Sequence, residues 1–120
     1  MEAKSLNISI TESAVKIGEV YQVNGIYVCD EVKSYPVNNW ASAADVVGQW
    51  VNAILNFTEA KPCALHIAIP GPFDYSNGIS YIKENRNLKS LYEENVKQLL
   101  AFQLPISQEN IYFYNDAVCY

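Results

Sequence analysis

The chain has 120 residues, of which 50% are hydrophobic and 18% are charged, and this composition is typical of a single globular domain. Its net charge of -5 argues against a nucleic-acid-binding protein, because an acidic surface repels phosphate. The sequence has no apolar run long enough for a membrane helix and no signal peptide. We therefore expect a cytoplasmic protein whose three cysteines are reduced.

Two strands are predicted near the N-terminus. Residues 6–10, LNISI, alternate between apolar and polar side chains with the period of two that a strand requires. The polar residues 11–13 then favour a turn. The following segment is rich in β-formers and places Val15 and Ile17 on one face, which predicts a second strand.

A hairpin is predicted between the second and third strands. Asn24-Gly25 favours a tight turn, because both residues tolerate positive φ. The third strand is expected over residues 26–32, IYVCDEV, followed by a loop around Pro36. The first three strands should therefore form an antiparallel meander.

The first helix is predicted from about Ala43 to Phe57. Ser42 and Asp45 have the spacing of a capping box at its N-terminus. Apolar residues recur with the helical period and predict a stripe that faces the core. The stripe contains Val46, Val47, Trp50, Val51, Ile54 and Leu55.

A fourth strand is predicted over residues 63–69, CALHIAI, which read as a short, buried parallel strand. His66 alternates with apolar residues there, so we interpret it as a core histidine rather than a ligand. The Pro70-Gly71-Pro72 turn should end the strand. The cysteines lack the spacing of a metal site, so no metal is expected.

The stretch that follows is harder to assign. A turn at residues 76–78 is followed by residues 79–82, ISYI, which favour a short edge strand. A second helix is predicted from about Leu91 to Phe102, with Ser90 or Asn95 as its cap. The last strand is residues 110–115, NIYFYN.

The predicted order of elements is β-β-β-α-β-α-β. With right-handed crossovers, it gives an α/β domain whose mixed five-stranded sheet has the order 3-2-1-4-5 and is packed with helices. This order matches the ribonuclease-H-like fold of actin-like ATPases and hexokinases. Strands 1, 4 and 5 would be parallel, so the turns after them should meet at one edge of the sheet, where α/β proteins bind ligands. These turns are residues 11–13, 70–72 and 115–116.

Three segments within residues 64–120 resemble the N-terminal domain of ROK-family sugar kinases, which include bacterial glucokinases. They are IAIPGPFDYSNGISYIK, SLYEENVKQLL and the terminal YFYNDAVCY. The resemblance implies a single domain over residues 1–120 and, for the family, Mg-ATP-dependent phosphorylation of a hexose hydroxyl. It also implies that the ATP-side domain is absent, since the sequence ends four residues after Asp116.

The phosphate-binding loop of the family does not match this sequence. ROK kinases follow their first strand with the loop D-x-G-G-T, and the aligned positions here are Ser9, Thr11, Glu12 and Ser13. Glycines let a backbone approach phosphate closely, whereas Glu12 brings a like charge. We therefore expect this cofactor-binding loop to be degenerate and the chain to bind no nucleotide.

The resemblance also assigns the sugar site. It makes Asp116 the catalytic base that accepts the proton of the sugar hydroxyl, with Asn115, Gly71 and Glu84 as substrate-binding residues. Each residue also has a plainer interpretation. Asp116 would cap a helix beginning at Ala117, Asn115 would belong to a turn, Gly71 would end a strand, and Glu84 would lie in a solvated loop.

Two functions remain open. The chain is either the sugar-side domain of a ROK-type hexose kinase, inactive on its own, or a non-catalytic module for sugar sensing or self-association. Apolar residues near the C-terminus, Val118 to Tyr120, together with Tyr112 and Tyr114, would form an exposed patch. A hexose ligand and a homodimer or small oligomer are therefore the expected partners.

Overall fold

A computed structural model of the chain describes residues 5–11, 14–38, 41–58, 62, 64–69, 73–81, 90–104 and 106–115, with the backbone alone for residues 20–23 and 27–31. Neither α-helix in this part of the chain is long and apolar enough to cross a membrane. The elements are, in chain order, β1 (Ser5–Ile10), β2 (Ala14–Val23), β3 (Ile26–Pro36), α1 (Ala43–Phe57), β4 (Ala64–Ile69), β5 (Phe73–Asp74), β6 (Ile79–Ser80), α2 (Val96–Gln103), a 3-10 turn (Gln108–Asn110) and β7 (Ile111–Asn115).

The main sheet has five strands in the order β3-β2-β1-β4-β7. Strand β1 is antiparallel to β2 and parallel to β4, which is parallel to β7. The predicted order 3-2-1-4-5 is confirmed, with β7 as the fifth strand, and so is the ribonuclease-H-like α/β class. The three parallel strands end side by side at Ile10, Ile69 and Asn115, and we call this edge the rim.

The β2–β3 hairpin turns at the predicted dipeptide. Asn24 and Gly25 both adopt positive φ, at 51° and 81°. Strand β3 is longer than predicted, because it continues to Pro36, which pairs with Ala14. Proline is tolerated there because β3 is an edge strand, with β2 as its one neighbour in the sheet. The missing N–H of proline therefore removes no hydrogen bond to a strand on the other side.

Helix α1 has the predicted bounds. The Ser42 side chain accepts a hydrogen bond from the backbone N–H of Asp45 at 3.3 Å and caps the first turn. The predicted stripe is correct except for Leu55, which is 58% exposed. At 100° per residue, Leu55 projects about 120° from the centre of the buried stripe, which is too far around the helix to reach the sheet.

The core lies between one face of the sheet and the two helices. The alternating residues of the strands supply one side, and the apolar faces of α1 and α2 supply the other. The most deeply buried side chains are Trp50, Leu6, Ile17, Ile54, Leu65, Ile67, Ile69, Leu91, Leu100 and Ile111.

The other face of the sheet carries polar and aromatic side chains. Lys16, Tyr112 and Tyr114 are exposed on it, and His66 is half-buried. The prediction that His66 is a core histidine is therefore wrong. Leu65 and Ile67 point into the core, so the period of two directs the intervening side chain to the opposite face.

The segment before α2 differs from the prediction in two ways. Residues 79–80 form a separate hairpin with residues 73–74 instead of an edge strand of the main sheet. Helix α2 begins at Val96, later than predicted, and Asn95 caps it by accepting a hydrogen bond from Gln98 N at 2.9 Å. The helix cannot begin earlier, because Glu93 has a φ of 62° and donates its N–H to Ser80.

Candidate functional site

At the rim lie the ends of the strands where ligand-binding residues were predicted. Asn115 is the last residue of β7 and pairs in register with Ile69, the last residue of β4. Ser9 pairs with Ala68 of β4, and Thr11 follows the end of β1. The predicted convergence of the strand ends is therefore confirmed, and Asn115 lies at the end of its outermost strand, β7.

Five predicted site residues lie outside the described residues. They are Asp116, Gly71 and Glu84 of the sugar site, and Glu12 and Ser13 of the phosphate loop. Their roles remain predictions, as does that of the apolar segment 118–120. Among the residues that the structure describes, no three histidine, cysteine, aspartate or glutamate side chains are grouped to hold a metal ion.

The side chain of Asn115 is held by Tyr75. Its amide Nδ2 donates to the Tyr75 hydroxyl at 3.0 Å. The same hydroxyl donates to the backbone carbonyl of Ile69 at 3.3 Å. Tyr75 therefore joins the ends of two neighbouring parallel strands, β4 and β7, through one hydroxyl group. Both Tyr75 and Asn115 are half-buried, so these hydrogen bonds are partly shielded from competing water.

The turn that carries Tyr75 is closed by its own side chains. The Asp74 carboxylate accepts hydrogen bonds from the backbone N–H of Asn77 at 3.2 Å and from its side-chain amide at 2.8 Å. These hydrogen bonds, above all the one from the side chain, lower the pKa of Asp74 below its usual value. The ring of Tyr75 lies 5.2 Å from that of Phe73, centroid to centroid. The sequence FDYSN thus forms a compact platform for the tyrosine.

Gly78 docks this turn against the first turn of α2. Its carbonyl accepts hydrogen bonds from the backbone N–H groups of Val96 at 2.7 Å and Lys97 at 3.3 Å. These are amides at the N-terminus of a helix, which have no partner within the helix itself. The Lys97 ammonium also donates to the carbonyl of Ser76 at 3.0 Å. Helix α2 therefore fixes the position of the turn, and through it that of Tyr75.

Thr11 closes the turn between β1 and β2. Its hydroxyl donates to the carbonyl of Ala14 at 3.0 Å and accepts from the N–H of the same residue at 3.1 Å. Its backbone N–H also donates to that carbonyl at 3.0 Å. The hydroxyl is thus used within the protein, at a position where the predicted phosphate loop would need backbone groups turned towards a ligand.

An aromatic patch, formed by His66, Tyr112 and Tyr114, lies on the open face of the sheet. The His66 ring stacks on Tyr112, with centroids 5.1 Å apart and planes inclined by 10°. Its Nδ1 is 3.3 Å from the Tyr114 hydroxyl. Partial burial lowers the pKa of His66 below its ordinary value, because the charged ring loses hydration. The neutral imidazole is therefore the favoured form near pH 7.

Tyr75 is the site residue that the sequence analysis missed. The motif D-Y-x-N-G-I supported the family resemblance, yet no role was assigned to its tyrosine. An aromatic residue carrying a hydroxyl, placed between a short strand and an Asp/Asn/Gly turn, was the available signal. Its partner Asn115 is forty residues further along the chain, so only the folded sheet reveals the pair.

Comparison of the sequence with known proteins assigns the chain to no family. No protein-family model matches the chain. No curated protein matches it in sequence either.

Solved structures of sugar kinases match the fold. A candidate sugar kinase from Cytophaga hutchinsonii superposes with a TM-score of 0.72 at 18% identity, over 98% of this chain and 37% of that protein. The ROK hexokinase from Thermus thermophilus gives a TM-score of 0.65 at 14% identity, over 95% of this chain and 35% of the hexokinase. The chain thus spans about a third of the length of each kinase.

The same fold occurs in a protein of different function. RuvC from Thermus thermophilus, solved in complex with a Holliday junction, gives a TM-score of 0.55 at 13% identity, over 97% of this chain and 66% of RuvC. The fold alone therefore does not choose between functions, and the site residues must do so. The chain has the ribonuclease-H-like fold of sugar kinases such as the ROK hexokinase, and the resemblance to that family is confirmed at the level of the fold.

Proposed function

We propose that this chain is the sugar-side domain of a ROK-type hexose kinase and that it binds a hexose at the rim. The observation that carries the proposal is the position of Asn115, which is held at the carboxyl end of β7 beside the end of β4. An amide in this place can exchange hydrogen bonds with sugar hydroxyls. Asp116, the next residue, would act as the general base for the attacking hydroxyl.

Phosphoryl transfer would need the second, ATP-side domain of the family. We propose that residues 1–120 form one domain, act in the cytoplasm, and bind no Mg-ATP alone. The absence of Mg-ATP binding is supported by Thr11, whose hydroxyl is already hydrogen-bonded to Ala14. Glu12 would add repulsion of roughly 4 kcal/mol against a phosphate at about 4 Å, for an effective dielectric constant near 20.

Titration of the labelled chain with glucose, mannose and galactose tests this function by NMR. We expect one hexose to bind in the millimolar range and to shift the signals of Asn115 and Asp116, whereas Mg-ATP should give no saturable change. Asn115→Ala should weaken hexose binding about tenfold, since a side-chain hydrogen bond is lost. Asn52→Ala, on the exposed surface of α1, is the matched control and should bind as the unmodified chain does.

Two outcomes would contradict the proposal. If no hexose shifts the rim signals, the sugar-side function is wrong. If Mg-ATP binds with saturation below millimolar concentration, the alignment of Ser9 to Ser13 with the phosphate loop is wrong instead.

Self-association is the second candidate function, and the aromatic patch favours it. Tyr112 and Tyr114 are 43% and 38% exposed. Burial of a few hundred Å² of such surface is worth several kcal/mol at about 25 cal/mol per Å², before the entropy of association is subtracted. A two-fold axis would let the patch cover its own copy, so we propose a homodimer.

Sedimentation at micromolar concentration tests the dimer. We expect the chain to sediment as a dimer and Tyr112→Ser to shift it to the monomer. The control is Tyr81→Ser, because Tyr81 is 44% exposed but lies outside the aromatic patch. An unmodified chain that sediments as a monomer would exclude this second function.

A further inference from the structure

We propose that Tyr75 is a positioning residue that sets the orientation of the Asn115 amide at the rim, and thereby makes the site selective for a ligand hydroxyl that donates a hydrogen bond. The ligand part of this inference rests on the proposed hexose function. The orientation part rests on hydrogen-bond geometry alone and can be tested without a ligand.

The single proton of the Tyr75 hydroxyl determines the orientation of the Asn115 amide. A tyrosine hydroxyl has one proton, and the carbonyl of Ile69, 3.3 Å away, can only accept it. The hydroxyl must therefore accept a hydrogen bond on its other side, and Asn115 must present Nδ2 to it, at 3.0 Å. The reversed amide would place two acceptors against each other. Tyr75 thus removes the two-fold ambiguity that an asparagine amide otherwise has.

The hydroxyl is also held in place. The ring of Tyr75 packs against Phe73, whose own ring lies 5.0 Å from that of Phe113 in β7. Phe73 is 8% exposed, so this cluster continues into the core. The platform is tied to α2 through Gly78. Tyr75 therefore has little freedom to follow a rotation of Asn115, and the orientation of the amide is determined before any ligand binds.

The consequence for a ligand concerns which group it must supply. With Nδ2 committed to Tyr75, the carbonyl end of the amide is the end turned away from the tyrosine. A carbonyl oxygen has two lone pairs and can only accept hydrogen bonds, so a ligand hydroxyl that meets this end of the amide must donate. Replacing that hydroxyl by fluorine leaves the size similar but removes the donor. The site should bind the fluorinated sugar more weakly, because the hydrogen bond from the ligand to the Asn115 carbonyl oxygen is lost.

The orientation is tested on residues 1–120 without ligand, with ¹⁵N spectra of side-chain amides. In Tyr75→Phe, we expect the Nδ2 proton signals of Asn115 to shift and to exchange faster with water, while the backbone spectrum stays folded. Tyr81→Phe, at an exposed tyrosine, should leave these signals unchanged. The reciprocal variant Asn115→Ala should shift the ring signals of Tyr75, so the test does not depend on one substitution. Unchanged signals in both variants would overturn the inference.

Titration with glucose and its monodeoxyfluoro derivatives tests the ligand part. Tyr75→Phe should weaken glucose binding about fivefold, as expected for a lost hydrogen bond, and should reduce the discrimination against the one fluorinated sugar that the unmodified chain binds more weakly. Equal glucose binding by both chains would overturn the selectivity role while leaving the proposed function intact. If the Asn115 signals change in Tyr75→Phe but no hexose binds to the unmodified chain, the positioning role is supported and the proposed function is refuted.

Discussion

Gly78→Ala is expected to lower the free energy of unfolding by roughly 2–5 kcal/mol, the sum of backbone strain and overpacking. Gly78 has a φ of 74°, which a residue with a side chain rarely adopts. A Cβ added there would overlap the Cβ of Lys97 and lie 3.2 Å from its backbone nitrogen. The Cβ of Lys97 is fixed to the helix backbone, so relief requires α2 to move.

The matched control for this substitution is Gly25→Ala in the β2–β3 hairpin. Gly25 has a similar φ of 81°, but nothing lies within 4 Å of its added Cβ. Only backbone strain remains there, so we expect a loss of about 1 kcal/mol. Urea unfolding followed by circular dichroism measures both variants. Equal losses would mean that contact with α2 contributes nothing at Gly78.

Phe73→Ala is expected to lower the free energy of unfolding by about 3–5 kcal/mol, because it leaves a cavity beneath the turn. Phe73 is 8% exposed, and its ring contacts both Phe113 of β7 and Tyr75. Loss of this ring should also loosen the hydroxyl of Tyr75 from Asn115. The side-chain amide signals of Asn115 should therefore shift in the same variant.

Phe102→Ala gives the control with identical chemistry. Phe102 lies on α2 and is 87% exposed, so its removal creates no cavity. We expect a change within about 0.5 kcal/mol. Unfolding of both variants in urea provides the comparison. If Phe102→Ala were as destabilising as Phe73→Ala, burial beneath the turn would not explain the effect.

The features that were predictable from the sequence are those encoded locally. Ser42 and Asp45 cap the first turn of α1, and the apolar stripe of that helix has the helical period, so its bounds were predicted correctly. The dipeptide Asn24-Gly25 determines the hairpin in the same way. The sheet order then follows from the sequence of elements and from right-handed crossovers, which leave few alternatives.

The features that were missed depend on contacts between distant parts of the chain. The start of α2 depends on hydrogen bonds that Ser80 makes with Glu93 and Glu94, which no helical pattern contains. The environment of His66 depends on whether the second face of the sheet is covered, and the sequence of β4 alone does not predict this. The role of Tyr75 depends on the register between β4 and β7. The residues predicted to form the sugar site together with Asn115, above all Asp116, lie outside the described residues, so their roles remain predictions.

The parallel pairing that creates the rim also affects how the protein folds. The β2–β3 hairpin joins residues that are close in sequence and can form early, within microseconds. The pairings of Ile8 with Ile67, and of Ile67 with Phe113, close long loops and should form late. The rim exists only after both are made, so a partly folded chain would lack the proposed hexose site. A hexose that binds there would stabilise the folded chain and protect it from proteolysis, and this protection would keep growing with the logarithm of the hexose concentration above Kd.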